Sequence, residues 1–246
     1  MTPKRRAIVS IVAAVSVLVV VTVIIFVFGV IPLPDYPSLA DQPDPSIPGR
    51  VAYVEFDEEP CLFIVPASGG DAQEVWCGRQ YIEYPSWSSD GLLLVMDYTA
   101  EPTYILIDPA TGNEVDRVRV EDTNVPGAEP LRYGPGIRYE RPDGATVITA
   151  GRRSGESTVE VQLPGGESRT ILSVEDAPAD YQFVDVQWSP DGEWVLVSDT
   201  EGRLLIVGAD GTPGARVLVD GLQQYGAQAA WYIPGNDTYT VEILGR

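Results

Sequence analysis

The pattern of apolar and polar positions divides the chain in two. Residues 7–30 carry no charge and are dominated by Val, Ile, Ala and Leu; as a helix they extend about 36 Å and cross a bilayer. In lipid every backbone polar group must be paired within the segment. The solvent therefore enforces a helix on residues that form one poorly in water. From residue 49 onward the pattern changes to short, often alternating runs punctuated by Gly, Pro and Asp. Runs at 51–56, 61–65 and 73–76 predict a three-stranded meander. Further strands are expected at 92–98, 104–108, 114–120, 146–150, 157–163, 168–172, 184–189, 194–198, 204–207, 215–219 and 238–244.

The punctuation repeats. Trp87 precedes Asp90-Gly91, Tyr139 precedes Asp143-Gly144, Trp188 precedes Asp191-Gly192, and Trp231 precedes Pro234-Gly235. A period of roughly 40 to 50 residues with four strands per unit reads as propeller blades. Aspartate followed by glycine closes a tight turn, the carboxylate bonding the backbone and the glycine taking positive φ. The aromatic residue ends the preceding strand and fills the space between neighbouring blades. The fold class expected is all-β: a small β-propeller of four to five blades of antiparallel strands, preceded by one N-terminal transmembrane helix. A strand at 228–232 can complete the first blade. A four-bladed ring then leaves 238–244 surplus, whereas five blades leave the last incomplete; both stay open at this level.

Trp188-Ser189-Pro190-Asp191-Gly192 followed by an apolar strand, the hairpin Leu62-Phe63-Ile64-Val65-Pro66-Ala67-Ser68-Gly69-Gly70, and the repetition itself resemble the repeats of TolB-type β-propellers over about residues 49–246. The resemblance implies the fold. It implies no single activity, since such repeats serve periplasmic interaction modules, peptidase accessory domains and sensors alike. The second copy departs from the pattern, with Tyr139 for Trp and Arg141 for Ser, and the last has no aspartate before its glycine.

Charge orients the chain. Lys4, Arg5 and Arg6 flank the apolar run, so residues 1–6 form a cytoplasmic tail and everything beyond 7–30 is extracytoplasmic. Small residues at 38–40 offer a signal-peptidase site. Residues 7–30 exceed the usual cleaved core, however, and Pro32, Pro34 and Pro37 intervene, so an uncleaved, single-pass anchor fits better. Residues 31–48 contain six prolines and predict an extended linker ahead of the propeller at 49–246. Of 16 basic residues three precede the anchor, leaving a domain in which 36 acidic residues dominate; such a field disfavours nucleic acid.

The chain has no histidine, which removes the commonest general base and metal ligand. No recognised catalytic motif occurs, and no catalytic, cofactor-binding or metal-binding residue is expected. The acidic turns at 57–59 and 108–116 lack the alternating oxygen ligands of a calcium loop. Cys61 and Cys77 each lie eight residues from Gly69 at the centre of a hairpin turn, which sets them opposite one another in an oxidising compartment and predicts a disulfide. Arg138, Arg141, Arg152 and Arg153 concentrate in an otherwise acidic domain and form a candidate partner patch. Together these features point to a non-catalytic, membrane-anchored interaction module that binds another envelope protein. The alternatives are a ligand- or glycan-binding sensor working with a membrane partner and, third, an envelope hydrolase. No feature specifies the oligomeric state.

Overall fold

A computed structural model describes residues 33–56, 59–78, 82–97, 101–124, 139–152, 156–178, 180–222 and 228–244. Among these no helix is long and apolar enough to cross a membrane; the tail at 1–6 and the anchor expected at 7–30 lie outside the described residues. The strands are β1 (Arg50–Phe56), β2 (Pro60–Pro66), β3 (Gln73–Cys77), β4 (Ile82–Trp87), β5 (Leu93–Asp97), β6 (Thr103–Ile107), β7 (Glu114–Arg119) and the short β8 (Thr123–Asn124). They continue with β9 (Tyr139–Glu140), β10 (Thr146–Arg152), β11 (Glu156–Gln162), β12 (Ser168–Val174), β13 (Phe183–Trp188), β14 (Trp194–Asp199), β15 (Leu204–Gly208), β16 (Arg216–Val219), β17 (Ala229–Tyr232) and β18 (Glu242–Ile243).

Sixteen of these strands form four antiparallel sheets of four, ordered β17-β1-β2-β3, β4-β5-β6-β7, β9-β10-β11-β12 and β13-β14-β15-β16. Each is one blade of a β-propeller-like, all-β fold, numbered here 1 to 4. Late strand β17 pairs with early strand β1, Val51 opposite Trp231, so the ends of the chain share blade 1 and its free inner edge is removed.

Position within a blade decides the sequence of each strand. In β5, β14 and β15 almost every residue is buried, because the middle of a blade is covered on both faces by its neighbours. These strands therefore read as continuous apolar runs rather than alternating ones. The outermost strands β3 and β7 are largely exposed and carry charges, which protects open edges from pairing with other chains.

The core follows the blade junctions. Ala52, Val54 and Leu62 of blade 1 meet Ile82, Trp87, Leu93, Val95, Ile105 and Ile107 of blade 2. The opposite face of blade 2, with Leu94, Met96, Tyr104 and Leu106, packs on Val241. This accounts for the surplus C-terminal segment expected as a strand at 238–244. Only Glu242–Ile243 is strand, paired with β8, while the Val241 amide donates to the Trp87 carbonyl at 2.7 Å. A fifth blade is not formed among the described residues; the segment covers a face of blade 2 instead.

The proline-rich stretch differs from the linker expected at 31–48. Residues 35–48 belong to the same compact unit as the blades. Leu39 is fully buried and Ile47 nearly so, in one cluster with Val51, Tyr53 and Val65 of blade 1 and Leu196, Leu204 and Ile206 of blade 4. The Leu39 amide donates to Val217 O at 2.8 Å, the Val217 amide to Pro37 O at 2.9 Å, and Arg216 pairs with Asp44 at 2.6 Å. Proline forbids helix and central strand but not this single bridged pass. Two aliphatic side chains, each worth about 1.5–3 kcal/mol when buried, hold it in place.

Candidate functional site

In a meander of four antiparallel strands, the first and third connections emerge on the same side. The repeated turns and the hairpin tips at 67–72, 108–113, 163–167 and 209–215 thus share one face, here the turn face. The turns show why their residues recur. In blade 4, Ser189 Oγ donates to Asp191 Oδ1 at 2.5 Å and accepts the Trp194 amide at 2.9 Å, while the Gly192 amide donates to Ser189 O. Blade 2 repeats this: Ser88 Oγ donates to Asp90 and accepts the Leu92 amide at 2.9 Å. Gly91 and Gly192 have φ of 82° and 74°, which a residue with a Cβ adopts only at a cost. In blade 1, where Pro234-Gly235 replaces Asp-Gly, Asn236 one residue further on accepts the Thr238 amide at 3.1 Å.

The three described tryptophans of the repeat are buried between blades. Trp87 donates its indole N–H to Ala230 O at 3.1 Å and stacks on Tyr232 at 4.8 Å. Trp231 donates to Pro48 O at 2.9 Å. Trp188 lies under the Arg141 guanidinium, whose Cζ is 5.0 Å from the ring centre. The side chain of Tyr139 lies outside the described set. Cys61 and Cys77 are paired directly across β2 and β3 and joined by a disulfide, with Cα atoms 4.1 Å apart.

Arg141 stands where blades 2 and 4 have serine, and this departure builds a site. Its guanidinium forks onto Asp143, Nε to Oδ1 at 2.8 Å and Nη2 to Oδ2 at 2.6 Å, and Nη1 donates to Gly192 O of blade 4 at 2.9 Å. The arginine bonds, with the Ala145 amide, hold the Asp143 carboxyl down to about 2. Beside this bridge the turn face opens into a cleft of about 530 Å³. Trp194, Pro48, Pro213 and Leu163 give it apolar walls, and Arg141, Arg169, Asp191, Glu193 and Asp210 give it both signs of charge. Arg169 donates to Ala209 O at 2.7 Å and makes no ion pair among the described residues. Behind Trp194 sits Arg216, 5.7 Å from the ring centre. Its partner Asp44, held by bonds from Ser46 and Arg216, is brought down to about 2.

Two members of the expected arginine patch, Arg141 and Arg152, stand toward opposite ends of one strand. Arg141 precedes β10 and Arg152 ends it, opposite Glu156, so a seven-residue strand of about 20 Å separates their backbones. Arg138 and Arg153 lie outside the described residues. Crowding of arginines along the chain does not bring them together, because an extended strand carries its ends to opposite faces. Missed from the sequence were Trp194, Arg169 and, at the junction of blades 1 and 2, Arg50. The usable signal was the broken repeat at Arg141; Arg50 and Arg169 stand outside any repeated position.

No family model matches the chain, and no curated protein matches it. Among solved structures, TolB from Acinetobacter baumannii is 18% identical with a TM-score of 0.28, covering 82% of this chain and 54% of that one. Putative TolB from Agrobacterium tumefaciens is 15% identical at a TM-score of 0.23, covering 70% and 71%. An oligogalacturonate lyase in complex with manganese is 18% identical at 0.26, covering 65% and 43%. The chain thus spans about half the length of the Acinetobacter protein, and the propeller-like fold stands on its own strand order and register.

Proposed function

We propose that the chain is a membrane-anchored, extracytoplasmic β-propeller that acts as a non-catalytic protein-interaction module, with the turn-face cleft as its binding surface. The observation that carries this is the cleft lining: an indole and arginines, residue types enriched where proteins meet, set among prolines and carboxylates. The occupant that fits is an extended segment of an envelope protein, laying an apolar side chain against Trp194 and an acidic one toward Arg169. The extracytoplasmic setting is supported by the Cys61–Cys77 disulfide, which persists in oxidising compartments. The anchor is supported by the uncharged run at 7–30 behind three basic residues.

A photo-crosslinking amino acid at Thr212, on the cleft wall, tests the proposal in intact membranes against the same probe at Asp116 on the outer strand of blade 2. The expected result is one discrete protein adduct from position 212 that is lost with Arg169→Glu or Trp194→Ala and absent from position 116. No adduct, or an adduct indifferent to both substitutions, overturns it. If instead no protein is captured and a small molecule or glycan raises the melting temperature, the cleft belongs to the sensor reading.

A further inference from the structure

Two blade junctions place an arginine over the tryptophan of the next blade, and they differ in one respect. At the junction of blades 3 and 4, Arg141 covers Trp188, lies against Gly192 and has its charge closed by Asp143. At the junction of blades 1 and 2, Arg50 covers Trp87, with Cζ 4.5 Å from the ring centre, and lies 5.3 Å from that of Tyr232. Among the described residues the Arg50 side chain forms no ion pair and no hydrogen bond, and its Nε is buried without a partner. Its terminal nitrogens are not among the buried unpartnered atoms, so they keep access to solvent. Burial lowers its pKa with no carboxylate opposing, whereas Asp143 holds that of Arg141 up.

Gly91 locates a second group. A methyl group built on Gly91 would stand 3.1 Å from Tyr232 Oη and 3.8 Å from Arg50 Nη2. Both polar groups therefore converge beside the Gly91 turn, close to one another. A guanidinium packed against a stacked pair of aromatic rings is already restrained before a ligand arrives, so less freedom is lost on binding. We propose that Arg50, with the Tyr232 hydroxyl, is a carboxylate-binding site on the turn face, receiving from a ligand the acid that Asp143 supplies to Arg141. A planar carboxylate matches the fork with two parallel bonds. The inference is independent of the cleft and needs no protein partner.

The test uses the full chain in detergent, labelled with ¹⁵N-tryptophan, and follows the indole resonances of its five tryptophans while sodium acetate replaces sodium chloride at constant ionic strength. The Trp87 resonance is expected to shift saturably, with a midpoint in the millimolar range, while Trp188, whose arginine is already closed, stays still. Arg50→Met is expected to abolish the shift. Should that variant not fold, Arg50→Lys, which keeps the charge but not the fork, is expected to weaken binding by about tenfold or more. Asp143→Ala is expected to make Trp188 respond as Trp87 does. An acetylated alanine, with only a terminal carboxylate, and an acetylated aspartate amide, with only a side-chain one, separate the two sources of the ligand group. A Trp87 shift that does not saturate, or that survives loss of Arg50, overturns the assignment.

Discussion

If the proline-rich segment is part of the propeller, Leu39→Ala must destabilise the whole domain. Leu39 has no exposed surface and touches a cluster drawn from blades 1 and 4. Gly69, at the hairpin tip of blade 1, leaves room for it: a Cβ there would run into the Leu39 carbonyl oxygen. Truncation removes the transfer free energy of three carbons and leaves a cavity between two blades, so the loss is about 2–5 kcal/mol. For a domain near 200 residues that lowers the melting temperature by about 5 to 15 °C. Urea unfolding followed by tryptophan fluorescence measures it, with Leu94→Ala in blade 2, equally buried in a separate cluster, as the reference. A tether would give a change within about 0.5 kcal/mol. If Leu39→Ala is that mild while Leu94→Ala shows the full loss, residues 35–48 are not a structural part of the propeller.

Three further outcomes are expected. Replacing Cys61 and Cys77 by serine removes a link across a separation of 16 residues and should cost about 3 kcal/mol in the chain-entropy picture; equal unfolding midpoints for the variant and the oxidised parent would contradict it. Asp199 is fully buried against Arg203, at 2.7 Å, so Arg203→Met strands a carboxylate. A loss of about 3–5 kcal/mol is expected, partly restored by adding Asp199→Asn, and strict additivity of the two changes would refute the pairing. Asp44 and Asp143 have folded pKa values lowered to about 2. Their contribution is present above the unfolded value of about 4 and is lost as pH falls through 2, so stability should decline across that window. The double change Asp44→Asn and Asp143→Asn should flatten the decline, and an unaltered slope would rule these two groups out.

The blades were legible because the physics that makes them is local. Continuous apolar runs such as Leu92–Met96, and turns built on Ser189 and Asp191, carry their structure within a few residues, and so does the opposition of Cys61 and Cys77 across a hairpin. Ring closure was legible as an option, a strand at 228–232 completing the first blade, but choosing it needed information from 180 residues away, since β17 matches β1 by pairing Trp231 with Val51. The segment 35–48 was hidden for another reason. Four prolines mark its composition, yet its placement is decided by Tyr36, Leu39 and Ile47, three residues among many, meeting a groove that exists only once blades 1 and 4 are side by side. At the candidate site, Arg50 and Arg169 belong to no repeated position, and what sets them apart is the acid they lack, which only the folded neighbourhood defines.

The repeat and its breaches divide the labour. A serine in the turn satisfies its aspartate within the blade, as Ser88 does with Asp90 and Ser189 with Asp191, and brings no guanidinium to the turn face. Arg141 at the same position turns the aspartate outward into a fork and reaches Gly192 on the next blade, so one substitution both ties two blades together and lines the cleft. Reverting the breach isolates these roles. Arg141→Ser restores the repeat's own turn chemistry, with Asp143 available to the new hydroxyl, so the turn itself should lose little. The bridge between blades 3 and 4 and the cover over Trp188 are lost, and with them the charged wall of the cleft. Partner crosslinking from Thr212 should therefore fall while the melting temperature moves by no more than about 2–4 °C, the shift expected for about 1 kcal/mol in a domain of this size. Intact crosslinking in Arg141→Ser would place recognition elsewhere than at the broken turn.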